Sequence, residues 1–219
     1  SEMVSAKALC YGDQKSLALL RRCTLDIPFS IQLFGDDPAH MAKAAKLLLP
    51  YAPQMIDLNM GCPVPKVAGN GSGSALMKDP SRASAITAAV AEAVPIPVTV
   101  KIRKGWDENS VNAPAFARLM EQSGAAAVDG RTRQQMYRPP VDREIIRLVK
   151  ENVSVPVIGN GGITDAFSAE TMYNETGCDL VMVAQGSYGR PWIFSEIRSY
   201  LKDGTIPAEP TLPEKLDII

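Results

Sequence analysis

Short apolar runs recur along the chain, separated by longer stretches in which apolar positions return every three to four residues. The runs are Glu2–Ala6, Phe29–Phe34, Met55–Asn59, Val98–Ile102, Ala125–Val128, Val155–Gly159 and Leu180–Ala184. Most are dense in Val, Ile and Leu rather than strictly alternating, which suits parallel strands covered on both faces. Pro97 and Pro156 stand at strand starts, where a missing N–H does least harm. Between the runs lie helix signals. Asp37-Pro38 precedes Ala39–Leu49 and Asp79-Pro80 precedes Ser81–Val94, with Asp suited to the N-cap and Pro to the first turn. Thr164 is placed to cap Asp165–Glu175, with Gly177 near its stop, and Gly124 follows Ala115–Ser123.

Strand and helix alternating through seven strands predicts a parallel sheet, either open and doubly wound or closed as a (β/α)8 barrel. The barrel is favoured, because polar and glycine-rich residues gather directly after strands, where barrel enzymes keep their chemistry. The expected fold is therefore α/β, a parallel TIM-type barrel lacking its first strand. After about Asp203, Pro207, Pro210 and Pro213 interrupt a polar stretch, and Glu214–Ile219 reads as the start of a helix. Residues 1–202 are thus expected to form an incomplete barrel, and residues 203–219 a linker into a C-terminal helical region.

Composition narrows the function classes. With 219 residues, 46% hydrophobic, 21% charged and a net charge of -1, the chain is neither a disordered sequence nor a bulk polycation. No apolar run is long enough to span a bilayer, and Ser1–Ser5 lacks the pattern of a leader peptide. The four cysteines show no CxxC spacing and His40 is the only histidine, which argues against a metal site or a Ser-His-Asp relay. A reduced, cytoplasmic setting is expected.

The densest chemical signal is Asp57-Leu58-Asn59-Met60-Gly61-Cys62-Pro63, running into a loop through Gly69, Gly71 and Gly73. Cys62 directly follows a buried strand, at the mouth of the expected barrel. An unperturbed thiol, with a pKa of about 8.5, is mostly protonated at neutral pH, so Cys62 suits proton donation better than nucleophilic attack. Lys101, amid Val and Ile, faces a negative group in the mouth or reaches solvent. Gln32 in Ser30-Ile31-Gln32-Leu33-Phe34 must find hydrogen bonds, from a ligand or a neighbouring backbone. The loops Ile158-Gly159-Asn160-Gly161-Gly162-Ile163-Thr164 and Ala184-Gln185-Gly186-Ser187-Tyr188-Gly189-Arg190 follow the last two strands, where barrels often hold phosphate.

Taken with Ile31-Gln32-Leu33-Phe34-Gly35, Val100-Lys101-Ile102-Arg103-Lys104-Gly105-Trp106, Gly130-Arg131-Thr132-Arg133 and Gly189-Arg190-Pro191-Trp192, these stretches make the chain resemble the tRNA-dihydrouridine synthases, in their bacterial B-type branch. The resemblance implies an FMN-dependent barrel that reduces uridine in tRNA to 5,6-dihydrouridine, with NADPH as the electron source. Hydride would pass from flavin N5 to uracil C6 and a proton from Cys62 to C5. It further implies that Gln32 and Lys101 hold the flavin ring, that Asn160, Gly161, Gly162, Ala184 and Gln185 hold its phosphate end, and that Asn59 and Arg131 contact substrate. Against the family pattern, the first strand and most of the C-terminal helical domain are missing. Two residues and a histidine are missing before Gly130, and Gln185 stands where many relatives carry Arg. Two other readings compete: a non-catalytic barrel acting as an RNA- or protein-binding module, and an FMN barrel reducing a free pyrimidine. The Arg131, Arg133, Arg138 and Arg143 group favours RNA over a free base.

Overall fold

The computed structural model describes residues 1–20, 28–128 and 141–218. Strands β1 (Met3–Ser5), β2 (Ser30–Phe34), β3 (Met55–Asn59), β4 (Val98–Ile102) and β5 (Ala125–Val128) form one parallel ladder in chain order. Strands β6 (Ile158–Asn160) and β7 (Leu180–Met182) form a second parallel ladder. Helices α1 (Ala6–Cys10) and α2 (Gln14–Ala18) follow β1, α3 (Pro38–Leu48) follows β2, and α4 (Pro65–Ala68) and α5 (Pro80–Ala93) follow β3. Then come α6 (Ala113–Gln122), α7 (Arg143–Asn152), α8 (Ala166–Thr176), α9 (Ile193–Asp203) and α10 (Leu212–Ile218). Helices α3, α5, α6, α7, α8 and α9 pack each on the next, and β6 lies beside β5. This is an α/β barrel of the expected kind. Among the described residues it is not closed, since no ladder joins β5 to β6 or β7 to β1.

The core lies between strands and helices. Ile31 and Leu33 of β2, Ile56 and Leu58 of β3, and Val100 and Ile102 of β4 are at most 1% exposed. They belong to one cluster with Met41 and Leu48 of α3, Ile86 and Val90 of α5, and Phe116 and Met120 of α6. Each such side chain contributes roughly 1.5–3 kcal/mol by leaving water. That burial fixes strand register, because a slip of one residue would turn the apolar set inward.

Several boundaries differ from the sequence expectation, three of them for a local reason that the structure shows. Strand β1 ends at Ser5, whose hydroxyl accepts from Ala8 N and so starts α1. Strand β6 begins at Ile158 rather than Val155, because Val157 N–H donates to Asp179 Oδ2 at 2.7 Å instead of to a ladder. It ends with β7 at the Asn160–Met182 pair, after which Gly161 and Gly162 take left-handed φ values of 121° and 67°. The cap of α8 is Asp165, not Thr164: its carboxylate accepts from Ser168 N, and the Ser168 side chain returns the bond. Helix α6 starts two residues early, at Ala113, and α10, described over Leu212–Ile218, starts two residues before the expected Glu214; Ile219 lies outside the described residues. Asp37 and Asp79 cap α3 and α5 as expected.

Candidate active site

The same strands carry a second, polar set of side chains pointing away from the helices. Register places Gln32 beside Asp57, Asp57 beside Thr99, and Asn59 beside Lys101, all on the lumen face. Asp57 and Asn59 are 9% and 8% exposed, so their polar atoms need partners within the chain. They have them. Gln32 Nε2 donates to Asp57 Oδ2 at 2.5 Å and Thr99 Oγ1 donates to Oδ1 at 2.6 Å. Asn59 Nδ2 donates to Gln32 Oε1 at 2.8 Å, and Asn59 Oδ1 accepts from Gly61 N at 3.2 Å and Cys62 N at 2.8 Å. Burial pushes the Asp57 carboxyl above the usual range, against the opposing pull of the Gln32 and Thr99 bonds and the Lys101 charge.

Lys101 crosses the lumen. Its Nζ donates to Asn160 Oδ1 at 2.8 Å and approaches Met182 Sδ at 3.4 Å, while Asn160 Nδ2 donates to Met182 O at 2.8 Å. The Lys101 ammonium thus ties the five-stranded ladder to the two-stranded one, which no backbone ladder joins among the described residues.

Around these groups lie two adjoining cavities. The first, about 330 Å³, is lined by Gln32, Asp57, Asn59, Thr99, Lys101 and Asn160 among others. The second, about 510 Å³, is lined by Arg103, Gly161, Gly162, Ala184, Gln185 and Gly186, and it shares Asn160 and Met182 with the first. Glycine is needed in this wall: a Cβ on Gly186 would stand 2.3 Å from Ile163 O. The start of α8 offers fewer amides than an uncapped helix, since Thr164 N and Asp165 N donate to Ser168 Oγ and Ser168 N donates to Asp165.

Cys62 lies outside the walls of both cavities, half-buried beyond the end of β3. Its N–H is held by Asn59 and its carbonyl accepts from Ser74 N at 3.0 Å. Gly73, at φ 56°, passes so close that a Cβ there would stand 2.8 Å from Cys62 O. His40 is not its partner: Nδ1 lies 2.8 Å from Asp37 Oδ1.

The structure therefore brings Gln32, Asn59, Lys101 and Asn160 to one cavity and Asn160, Gly161, Gly162, Ala184 and Gln185 to the next. Arg131 lies outside the described residues, as do Arg133 and Arg138, whereas Arg143 pairs with Glu175 at 3.1 Å. Sequence reasoning gave no role to Asp57, Thr99 or Arg103. The signal was there. Thr99, Lys101 and Arg103 alternate with Val98, Val100 and Ile102, and Asp57 interrupts an apolar strand. Arg103 is 4% exposed and donates through Nε to Gly61 O at 2.8 Å. Among the described residues, no group of three or more His, Cys, Asp or Glu could hold a metal, and no helix is long and apolar enough to cross a membrane.

A series of parallel β/α units around a lumen lined by polar side chains, opening through strand ends onto glycine-rich loops, defines an α/β barrel. The chain belongs to the dihydrouridine synthase family, whose model matches residues 1–219. It is 45% identical over 224 residues to the "Probable tRNA-dihydrouridine synthase" of Rickettsia conorii, covering 100% of this chain and 67% of the relative. It is 42% identical over 222 residues to tRNA-dihydrouridine synthase B of Pseudomonas aeruginosa, again covering 100% of this chain and 67% of the relative. The chain thus spans about two thirds of these relatives. A crystal structure of a "putative dehydratase" from Mesorhizobium loti matches 78% of this chain and 43% of its own, with a TM-score of 0.56 and 16% identity, a likeness of fold alone.

Proposed function

We propose that the chain carries the catalytic barrel of a tRNA-dihydrouridine synthase, reducing a uridine of tRNA with FMN as cofactor and NADPH as the source of electrons. The single observation that carries this reading is the paired cavity. A cavity lined by Gln32, Asn59 and Lys101 continues into a glycine-walled one, the shape and donor set suited to a flat heteroaromatic ring bearing a phosphorylated tail. In this reading Gln32 and Lys101 hold the ring, and the backbone of Gly161, Gly162, Ala184 and Gln185 surrounds the phosphate end, with buried Arg103 beside it. Asn160 stands at the junction.

FMN, when bound, supplies hydride chemistry. The chain's own residues do the rest. Lys101 brings positive charge to the lumen, where it favours an anionic ring. Reduction of uracil at C6 leaves negative charge that must be quenched by a proton at C5, and the Cys62 thiol supplies it from the rim. The uridine must leave its stack to reach the cavity, and in this reading it meets the Cys62 thiol at the rim.

The experiment is direct. The purified protein should release FMN on denaturation, seen by absorbance and fluorescence. Cys62→Ala should leave reduction of the bound flavin by NADPH intact and lower dihydrouridine formation on unmodified tRNA by at least about 100-fold. Loss of both steps together would contradict the proton-donor role. A colourless protein that cannot be reconstituted with FMN would favour the non-catalytic binding module.

A further inference from the structure

The hydrogen bonds around Asp57 have a direction, and it ends at Cys62. The backbone N–H groups of Gly61 and Cys62 can only donate, and both reach Asn59 Oδ1. Asn59 must therefore turn its Nδ2 toward Gln32 Oε1, and Gln32 must present its Nε2 to Asp57 Oδ2. Turning either amide over would set N–H against N–H in a buried place. With Met3 Sδ at 3.5 Å from Nδ2, all four hydrogen-bonding positions of Asn59 are occupied within the chain. The series closes at a carboxylate whose other oxygen takes the Thr99 hydroxyl.

We propose that Asp57 is a positioning residue: as the terminal acceptor it fixes the amides of Gln32 and Asn59, and through them holds the Cys62 backbone in place for proton delivery. This rests on the proposed function only for what Cys62 does; the mechanical link stands on the hydrogen bonds. What position 57 requires is an acceptor, not a charge. Asparagine there can turn its oxygen to Gln32 and its amide to Thr99 Oγ1, whereas leucine offers no acceptor and releases half-buried Gln32 from its Asp57 bond.

Amide hydrogen exchange read by mass spectrometry on the protein as purified tests the link. Asp57→Leu should speed exchange in the segment holding Gly61 and Cys62 by at least about tenfold, while peptides from α5 and α6, behind the apolar face, stay unchanged. Asp57→Asn should stay within about threefold of the parent. In turnover, Asp57→Leu should lower kcat with KM for tRNA held. Should Asp57→Leu fail to fold, Gln32→Met cuts the series one link further on with Asp57 intact, and should raise the same exchange. The proposal is overturned if exchange at Gly61 and Cys62 is unchanged in the variants that fold. It is equally overturned if Asp57→Asn is as fast as Asp57→Leu, or if α5 and α6 loosen equally. Failure of the proton-donor role itself would show separately, as turnover retained in Cys62→Ala.

Discussion

On the helix side of β2, β3 and β4, Ile31, Leu33, Ile56, Leu58, Val98, Val100 and Ile102 are at most 6% exposed. On the lumen side the same strands carry Gln32, Asp57, Asn59 and Thr99, joined by side-chain hydrogen bonds, and Lys101, which donates across the lumen to Asn160. One face is non-directional: any apolar side chain of the right volume satisfies it, and its energy scales with area. The other is directional, since each amide and carboxyl there must meet a specific complement. Barrels of this kind usually fill their interiors with branched apolar residues. Here the lumen is polar, so the strands stabilise the fold with one face and hold chemistry with the other.

The sharpest way to break that division is Leu58→Ala, on the helix side between Asp57 and Asn59. Leu58 is 0% exposed, so truncation removes buried surface and leaves a cavity, costing about 2–5 kcal/mol. Chemical denaturation should show that loss, while the affinity for FMN per folded molecule changes little. A stability loss below about 1 kcal/mol would mean that the apolar face can collapse around the gap.

The sequence announced these two faces unequally. The apolar face is legible residue by residue, because a run such as Met55–Asn59 shows its burial in its own composition. Two boundaries slipped where a side chain intercepted the backbone, as Asp179 does at Val157 and Asp165 does at the start of α8. The lumen face is legible in its members but not in its wiring. Gln32, Asn59, Lys101 and Asn160 could be named, yet Gln32 meets Asp57 across 25 residues and Lys101 meets Asn160 across 59. Those partnerships depend on strand register and on the curvature that brings β6 opposite β4, neither of which is written in local sequence. Asp57 went without a role for that reason: alone it is a misplaced carboxylate, and only its neighbours make it the end of a series.

Lys101→Met should act in the opposite sense to Leu58→Ala. Removing a half-buried ammonium that holds Asn160 Oδ1 at 2.8 Å should weaken FMN binding by roughly 10- to 100-fold, the range of a hydrogen bond to a charged group. Thermal unfolding of the flavin-free protein should move by less than in Leu58→Ala, about 1–2 kcal/mol, because the charge-assisted bond to Asn160 is lost while the apolar face stays packed. Titration with FMN followed by fluorescence quenching checks the first expectation and calorimetry the second. Unchanged FMN affinity with a large stability loss would assign Lys101 to the scaffold rather than the site.

The smallest effect is expected of Asp57→Asn, which keeps the shape and both hydrogen bonds and removes only the ionisation. Burial raises the Asp57 pKa in the folded protein, opposed by the hydrogen bonds from Gln32 and Thr99 and by the Lys101 ammonium. The folded state therefore holds a proton that the unfolded chain has released above about pH 3.9. Its contribution to stability is fully present below that unfolded pKa and is lost as pH rises through the folded value. The parent should thus lose stability with rising pH across this window relative to Asp57→Asn, whose residue 57 does not titrate, and the two profiles should run parallel above it. Melting temperatures of both proteins on one pH series decide the matter. A difference profile that rises with pH instead would mean that Lys101 and the two hydrogen bonds outweigh burial, and that the lumen holds Asp57 as a stabilised anion.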